Sequence, residues 1–331
     1  MRLLILHPGG IGDVVLAVQA MRTLRWRHGA VEVGLLAAQD VGKLLENCNE
    51  VDTVFPLESG ALVELLAGDG LGTSPFLTWM KKCRFAQCWM EDQDGTLGAA
   101  FALHGTQKVI ITSPMSGRWK ARHQTDRFLE AAECPDSPPE ADRPLRMKEV
   151  MEARGRAAIV ESGVPDNRPY VVIHPGSGSV HKCCDAAVLT SVVNWVSNKD
   201  LIPLIIEGPA DEQQVKNLLM QRLRSFYLVK ENDLSTLAAI IKNAVLYVGC
   251  DSGISHLAAA LAVPTIVCFG PTDENRWCPR GRFVTNVRGT PCFCPTWEAV
   301  QQCREKPCLK ISSSLLLQTC EQMVASSQAK A

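Results

Sequence analysis

The sequence predicts an α/β protein of two domains, each a parallel sheet wrapped by helices, with one further helix at the C-terminal end. Three observations carry this. Short apolar runs alternate with stretches of helical apolar spacing along the chain. Two of those runs end in glycine-rich turns, after His7 and after His174. Two proline-bearing breaks separate the halves, and 331 residues are more than a single core usually holds.

The elements follow in order. Residues 3–6 form a first strand, buried on both faces because every residue is apolar. Residues 14–26 have the spacing of a helix. A strand over 31–36, a helix over 41–47 and strands over 54–56 and 108–112 complete the first pattern. The stretch 134–144 carries Pro135, Pro138, Pro139 and Pro144 and cannot hold regular structure. A helix over 147–163 precedes the second break, Pro165-Asp166-Asn167-Arg168-Pro169. The pattern then restarts with strands over 170–174, 202–207, 226–228, 245–248 and 265–269. Helices fit between them over 185–197, 211–222, 234–243 and 255–261, and a last one covers 312–326 after a Cys/Pro-rich loop. This divides the chain into a first Rossmann-like domain, 1–165, a second, 166–311, and a C-terminal helix, 312–331, for which packing back on the first domain is one arrangement.

Composition narrows the function classes. The chain is 46% hydrophobic and 21% charged, the balance of a soluble globular protein. A net charge of −1 gives no overall positive field, which argues against nucleic acid as the main partner. No run of about 20 apolar residues predicts a membrane span. The opening segment has too short an apolar stretch for a secretory signal and runs straight into a turn, so a cytoplasmic location is expected. The 14 scattered cysteines read mostly as reduced thiols filling core space.

The segment Gly249-Cys250-Asp251-Ser252-Gly253-Ile254-Ser255-His256 is the most informative. A strand ends in a turn of small residues that opens directly into an Ala/Leu-rich helix. A helix start offers unsatisfied N–H groups and a partial positive charge, which suit a phosphate. Asp251 is placed to accept hydrogen bonds from hydroxyls, and His256 lies one turn inside the helix. Phosphate and hydroxyls held side by side point to a nucleotide sugar; the plainer reading is a well-capped core helix.

The first turn, His7-Pro8-Gly9-Gly10-Ile11-Gly12-Asp13, does not match the G-x-G-x-x-G of a dinucleotide site, which argues against a dehydrogenase. Asp13 stands where a pyrophosphate would bind, and the helix start favours its ionised form. Such a carboxylate could take a proton from a substrate hydroxyl, or simply cap its helix. In the second half, Lys182 follows the turn Gly176-Ser177-Gly178-Ser179 and suits a diphosphate, although a loop lysine is more often only solvated. Asp211 and Glu212 follow a buried strand, where carboxylates commonly hold ribose hydroxyls, or else start the next helix. Cys292, Cys294, Cys303 and Cys308 form a C-x-C-x8-C-x4-C cluster; a zinc site, reduced thiols and a disulfide all remain open. Arg118, Lys120, Arg122 and His123 make a basic stretch that could meet an anionic acceptor, or a solvated loop.

Three blocks resemble the ADP-heptose:lipopolysaccharide heptosyltransferases, glycosyltransferase family 9. They are Gly9-Gly10-Ile11-Gly12-Asp13, His174-Pro175-Gly176-Ser177 with Lys182, and Asp251 to Ala260 continuing to Phe269-Gly270-Pro271-Thr272-Asp273. The resemblance implies a GT-B fold, two facing Rossmann-like domains with the active site between them. It implies an inverting transfer, with neither metal nor cofactor, from an ADP-sugar to a glycolipid or glycan acceptor, at or near the inner membrane's cytoplasmic face. By the same resemblance Asp13 is the general base and Lys182 neutralises the donor diphosphate. Ser177, Asp251, Ser252, Gly253 and His256 would bind the donor and Glu212 its ribose; the acceptor candidates, Gly12 in the first block and the basic residues Arg118, Lys120 and Arg122, rest on the residue pattern. After Lys182 the family places a basic residue, Trp and Pro, where this chain has Cys183-Cys184-Asp185, which leaves the donor sugar open. The alternatives are a different sugar in the same reaction, or a nucleotide-sugar epimerase, which shares the architecture and needs no acceptor.

Overall fold

The computed structural model describes residues 1–67, 74–115, 122–134, 136–166, 168–292 and 294–328. The chain forms two compact units, Met1–Lys148 and Glu149–Ala331. The first contains β1 (Arg2–Leu6), α1 (Ile11–Arg27), β2 (Glu32–Ala37), α2 (Gln39–Asn47), β3 (Thr53–Pro56), α3 (Ala61–Ala67), α4 (Pro75–Met80), β4 (Cys83–Cys88), α5 (Thr96–Leu103), β5 (Lys108–Ile111) and α6 (Gln124–Ala131). Its five strands lie in the order β3-β2-β1-β4-β5 and every pairing is parallel. Leu3 to Leu6 are all 0% exposed, which is why an uninterrupted apolar run marks this central strand.

The second unit contains α7 (Glu149–Glu161), β6 (Tyr170–His174), α8 (Ala186–Ser197), β7 (Ile202–Glu207), α9 (Glu212–Leu219), β8 (Tyr227–Lys230), α10 (Leu234–Lys242), β9 (Leu246–Cys250), α11 (Gly253–Ala260), β10 (Thr265–Cys268), α12 (Glu274–Trp277), β11 (Val284–Val287), α13 (Trp297–Gln302) and α14 (Ser313–Gln328). The strands are again all parallel, in the order β11-β10-β9-β6-β7-β8. In each sheet the chain winds outward one way from its first strand and then the other way. The order reverses between β1 and β4 in one unit and between β6 and β9 in the other. The crevice outside the carboxyl ends of strands at such a reversal is where open α/β sheets take their ligands.

Two strands carry no clear signal in the sequence. Strand β4 is central, yet Arg84 and Gln87 break its apolar run; Gln87 is fully buried and donates from Nε2 to the Ala131 carbonyl at 3.4 Å. Strand β11, Val-Thr-Asn-Val, is an edge strand and only partly buried. The proline-rich 134–144 stretch contains one short 3-10 turn, Pro139–Asp142. Arg22 of α1 holds it, donating to the Ala141 carbonyl at 2.9 Å and the Arg143 carbonyl at 2.5 Å. The same guanidinium pairs with buried Glu50 through bonds of 2.6 and 2.8 Å, so the stretch is fastened to α1.

Helix α7 belongs to the second unit. Its buried residues, Met151, Gly155 and Ile159, recur every four positions and so form one stripe, which packs on α10. The compact units therefore divide one helix earlier than the proline break at 165–169. Helix α14 packs on α8 and buries Leu316 and Cys320 in the second unit's core. Among the described residues no helix is long and apolar enough to cross a membrane.

Candidate functional site

In the first unit, the carboxyl end of β1 runs into α1 through His7-Pro8-Gly9-Gly10. His7 is buried beneath this turn, its ring 5.4 Å from that of Trp89 and 5.2 Å from that of Phe128. The Gly9 N–H donates to His7 Nδ1 at 3.0 Å, which assigns the remaining ring proton to Nε2. Burial lowers the His7 pKa to about 4, so the ring is neutral near pH 7. A Cβ at Gly9 would stand 2.7 Å from His7 Cε1 and 2.9 Å from Asp13 Cβ, so only glycine lets the turn close over the ring. Gly10 caps α1 without a side-chain bond, and Gly12 and Asp13, both half-buried, lie in its first turn. The imidazole beneath the turn and the glycine above it fix where Asp13 starts.

In the second unit, predicted residues from two separate turns come together at the reversal between β6 and β9. Lys182 ends a short 3-10 turn, and its Nζ lies 3.1 Å from Asp251 Oδ2. The Asp251 side chain is 3% exposed and also accepts a hydrogen bond from Thr272 Oγ1. Ser177 Oγ donates to the Asp251 carbonyl at 2.5 Å, tying the turn after β6 to the turn after β9. Ser252 is the N-cap of α11, its hydroxyl accepting from Ser255 N at 3.4 Å. The helix therefore begins at Gly253, two residues before the sequence pattern indicates, and its N-terminus directly follows the carboxyl end of β9. His256 is buried on its fourth position. A cation, a hydroxyl cluster and a helix N-terminus thus share one strand edge, an arrangement that suits a diphosphate beside hydroxyls.

Glu212 is exposed at the first position of α9, on the same edge after β7. The buried acid there is its neighbour Asp211, 7% exposed, whose Oδ2 lies 3.0 Å from His174 Nε2 and accepts from Gly208 N at 2.9 Å. Burial pushes the Asp211 carboxyl up, but the His174 bond and charge and the Gly208 N–H bring it below the usual carboxylate range. His174, Tyr247 and Thr272 are the members of this region to which sequence reasoning assigned no role, and Asp211, read there beside Glu212 as a ribose ligand or a helix start, is instead buried against His174. Only the His-Pro-Gly spelling pointed to His174, and pairing across 37 residues has no local signal.

Arg122 is exposed and paired with Glu130 at 2.5 Å. Arg118 and Lys120 lie outside the described residues. All 14 cysteines are free thiols. In the late cluster, burial and then the neighbouring Cys292 and Cys303 raise the Cys294 thiol, and burial and then Cys292 push Cys308 up to about 12. Among the described residues no group of three or more His, Cys, Asp or Glu is arranged to hold a metal ion.

Comparison with known proteins bears on these turns. The family model described as glycosyltransferase family 9 (heptosyltransferase) matches residues 106–308. Lipopolysaccharide heptosyltransferase 3 of Escherichia coli (strain K12) is 23% identical over 303 residues, 81% of this chain and 82% of that protein. Among solved structures, a glycosyl transferase of family 9 from Veillonella parvula DSM 2008 superposes with a TM-score of 0.81 at 14% identity, covering 98% of this chain and 97% of that one. The E. coli ADP-heptose lps heptosyltransferase II gives 0.75 at 16% identity, with both chains fully covered. The fold is of the GT-B class.

Proposed function

Because the chain belongs to glycosyltransferase family 9, the heptosyltransferases, we propose that it moves a heptose from an ADP-sugar to a lipopolysaccharide core acceptor with inversion at the anomeric carbon. Lys182, held by Asp251 at 3.1 Å beside the N-terminus of α11, carries this reading, because an oriented ammonium and a helix start supply donors and partial positive charge where a leaving diphosphate needs them. The second unit holds the donor. Lys182 and the N–H groups of Ser252 and Gly253 take the diphosphate, Ser177 and His256 support that turn, Asp251 accepts from sugar hydroxyls, and Glu212 meets the ribose.

The first unit holds the acceptor near Gly12, with Arg118, Lys120 and Arg122 as its cationic partners. Asp13 accepts the acceptor hydroxyl proton as the hydroxyl oxygen bonds to the anomeric carbon. The bond from that carbon to the diphosphate oxygen breaks, and its electron pair leaves with ADP. The developing charge is met by Lys182 and the helix N-terminus, so the proposed reaction draws on no metal ion. A lipid-linked acceptor places the work at the cytoplasmic face of the inner membrane.

The test is ADP release from ADP-heptose, with and without a heptose-deficient core acceptor. The wild type is expected to release ADP only with acceptor. Asp13→Asn is expected to keep its donor affinity and lose turnover by a factor on the order of 10² or more. Unchanged turnover removes Asp13 from the chemistry, and conversion of the donor sugar without acceptor overturns transfer in favour of an epimerase.

A further inference from the structure

A polar cluster lies buried under the strand edge that holds Lys182 and Asp251. His174, Asp211 and Tyr247 are 2%, 7% and 0% exposed. His174 Nε2 meets Asp211 at 3.0 Å, and its Nδ1 meets the Tyr247 hydroxyl at 3.1 Å and Ser252 Oγ at 3.5 Å. The Tyr247 hydroxyl lies 3.1 Å from Ser255 Oγ, which donates to the Cys250 carbonyl at 2.5 Å. The backbone closes on the same groups. A Cβ at Gly176 would fall 1.7 Å from Asp211 Oδ1, so the turn after β6 rests directly on this carboxylate. The Gly208 N–H, in the turn after β7, donates to its other oxygen at 2.9 Å. One carboxylate–imidazole pair thus touches the turns that follow β6, β7 and β9.

Buried polar groups in a sheet protein are costly unless every bond is made, and an apolar core would hold the strands as well. What an apolar core would not do is fix three turns against one another to hydrogen-bond accuracy. The geometry points to His174 and Asp211 as a positioning pair that sets the shape of the diphosphate-holding turns, 175–178 and 251–253, without touching the donor. This rests on the second unit being the ADP-sugar site. The pair acts on the phosphate-binding backbone, so its loss should weaken ligands that carry the diphosphate and spare those that do not.

The experiment is calorimetric titration of the full-length protein with ADP and, separately, with adenosine. Asp211→Asn keeps the shape of the side chain but loses its charge. Its ADP affinity is expected to fall about tenfold, with adenosine affinity held within about twofold. His174→Ala is expected to do the same, while His174→Gln, whose amide can still donate to Asp211, stays within about threefold of the wild type for ADP. If Asp211→Asn does not fold, the Ala and Gln variants at 174 decide alone. An ADP-to-adenosine ratio equal to that of the wild type, whether both affinities hold or fall together, overturns the pair. A wild type that binds adenosine but not ADP overturns the donor reading itself, and the pair's role with it.

Discussion

His7 and His174 occupy matching places in their units: His7 stands directly after β1 and His174 ends β6, and each begins a His-Pro-Gly turn. Their surroundings differ. His174 has a carboxylate at 3.0 Å, whereas His7 has aromatic rings, a single backbone N–H on Nδ1, and an Nε2 with no partner among the described residues. The His7 pKa in the folded state, about 4, is below the ordinary 6.5, so the unfolded chain takes up a proton first as the pH falls. The stability this group contributes is complete above pH 6.5 and is lost as the pH falls from there toward 4, by up to about 3 kcal/mol. Asp211 acts in a separate window, because a lowered carboxyl loses its contribution only below the ordinary carboxylate range. Urea unfolding of the wild type between pH 7 and 4 should therefore show stability falling with acid, and His7→Asn should flatten that slope while keeping an acceptor for Gly9. An equal slope in the two proteins removes His7 as its source. The turn was legible from its glycines and proline; the burial that keeps its histidine neutral was not, since Trp89 and Phe128 arrive from distant elements.

At the scale of elements, strands buried on both faces were legible because they are unbroken apolar runs, as in β1, β6 and β9. Strand β4 escaped because Arg84 and Gln87 interrupt its run, and the burial of Gln87 depends on a carbonyl 44 residues away. Helix α7 was legible as a helix, but its partner was not. Gly155 explains the partnership. A Cβ there would meet Ala239 Cβ at 2.5 Å and the Ala239 carbonyl carbon at 2.9 Å, so the backbones of α7 and α10 approach to a distance only glycine allows. Gly155→Val should push the helices apart and destabilise the second unit by about 2 kcal/mol, the range of overpacked contacts. Denaturant unfolding measures this directly. A loss under about 0.5 kcal/mol would mean that α7 gives way without strain and that the close approach contributes little.

For the whole molecule, both sheets reverse their winding beside their first strand, so both units present a crevice at a strand edge where a glycine-rich turn stands ready. The turns themselves are local in sequence, so the place of Asp13, Lys182 and Asp251 at the carboxyl ends of strands was legible. The contacts that brace the second unit's turns, Thr272 on Asp251 and His174 with Asp211, span 21 and 37 residues and become visible only when the sheet is assembled. The division of the chain has the same character. Prolines at 165 and 169 mark a break in local structure, whereas α7 joins the second unit through its stripe on α10, a contact between residues some 80 apart. A fragment 149–331 keeps that stripe, and a fragment 166–331 leaves the facing surface of α10 bare. The shorter fragment lacks Met151 and Ile159, both 7% exposed in the whole chain, whose burial contributes about 1.5–3 kcal/mol each, and for a unit of this size that loss lowers the melting temperature by about 10 °C. The longer fragment should melt in one cooperative transition and the shorter one at a temperature lower by that margin, or without a transition. Equal melting of the two would place α7 outside the cooperative unit and return the boundary to the proline break.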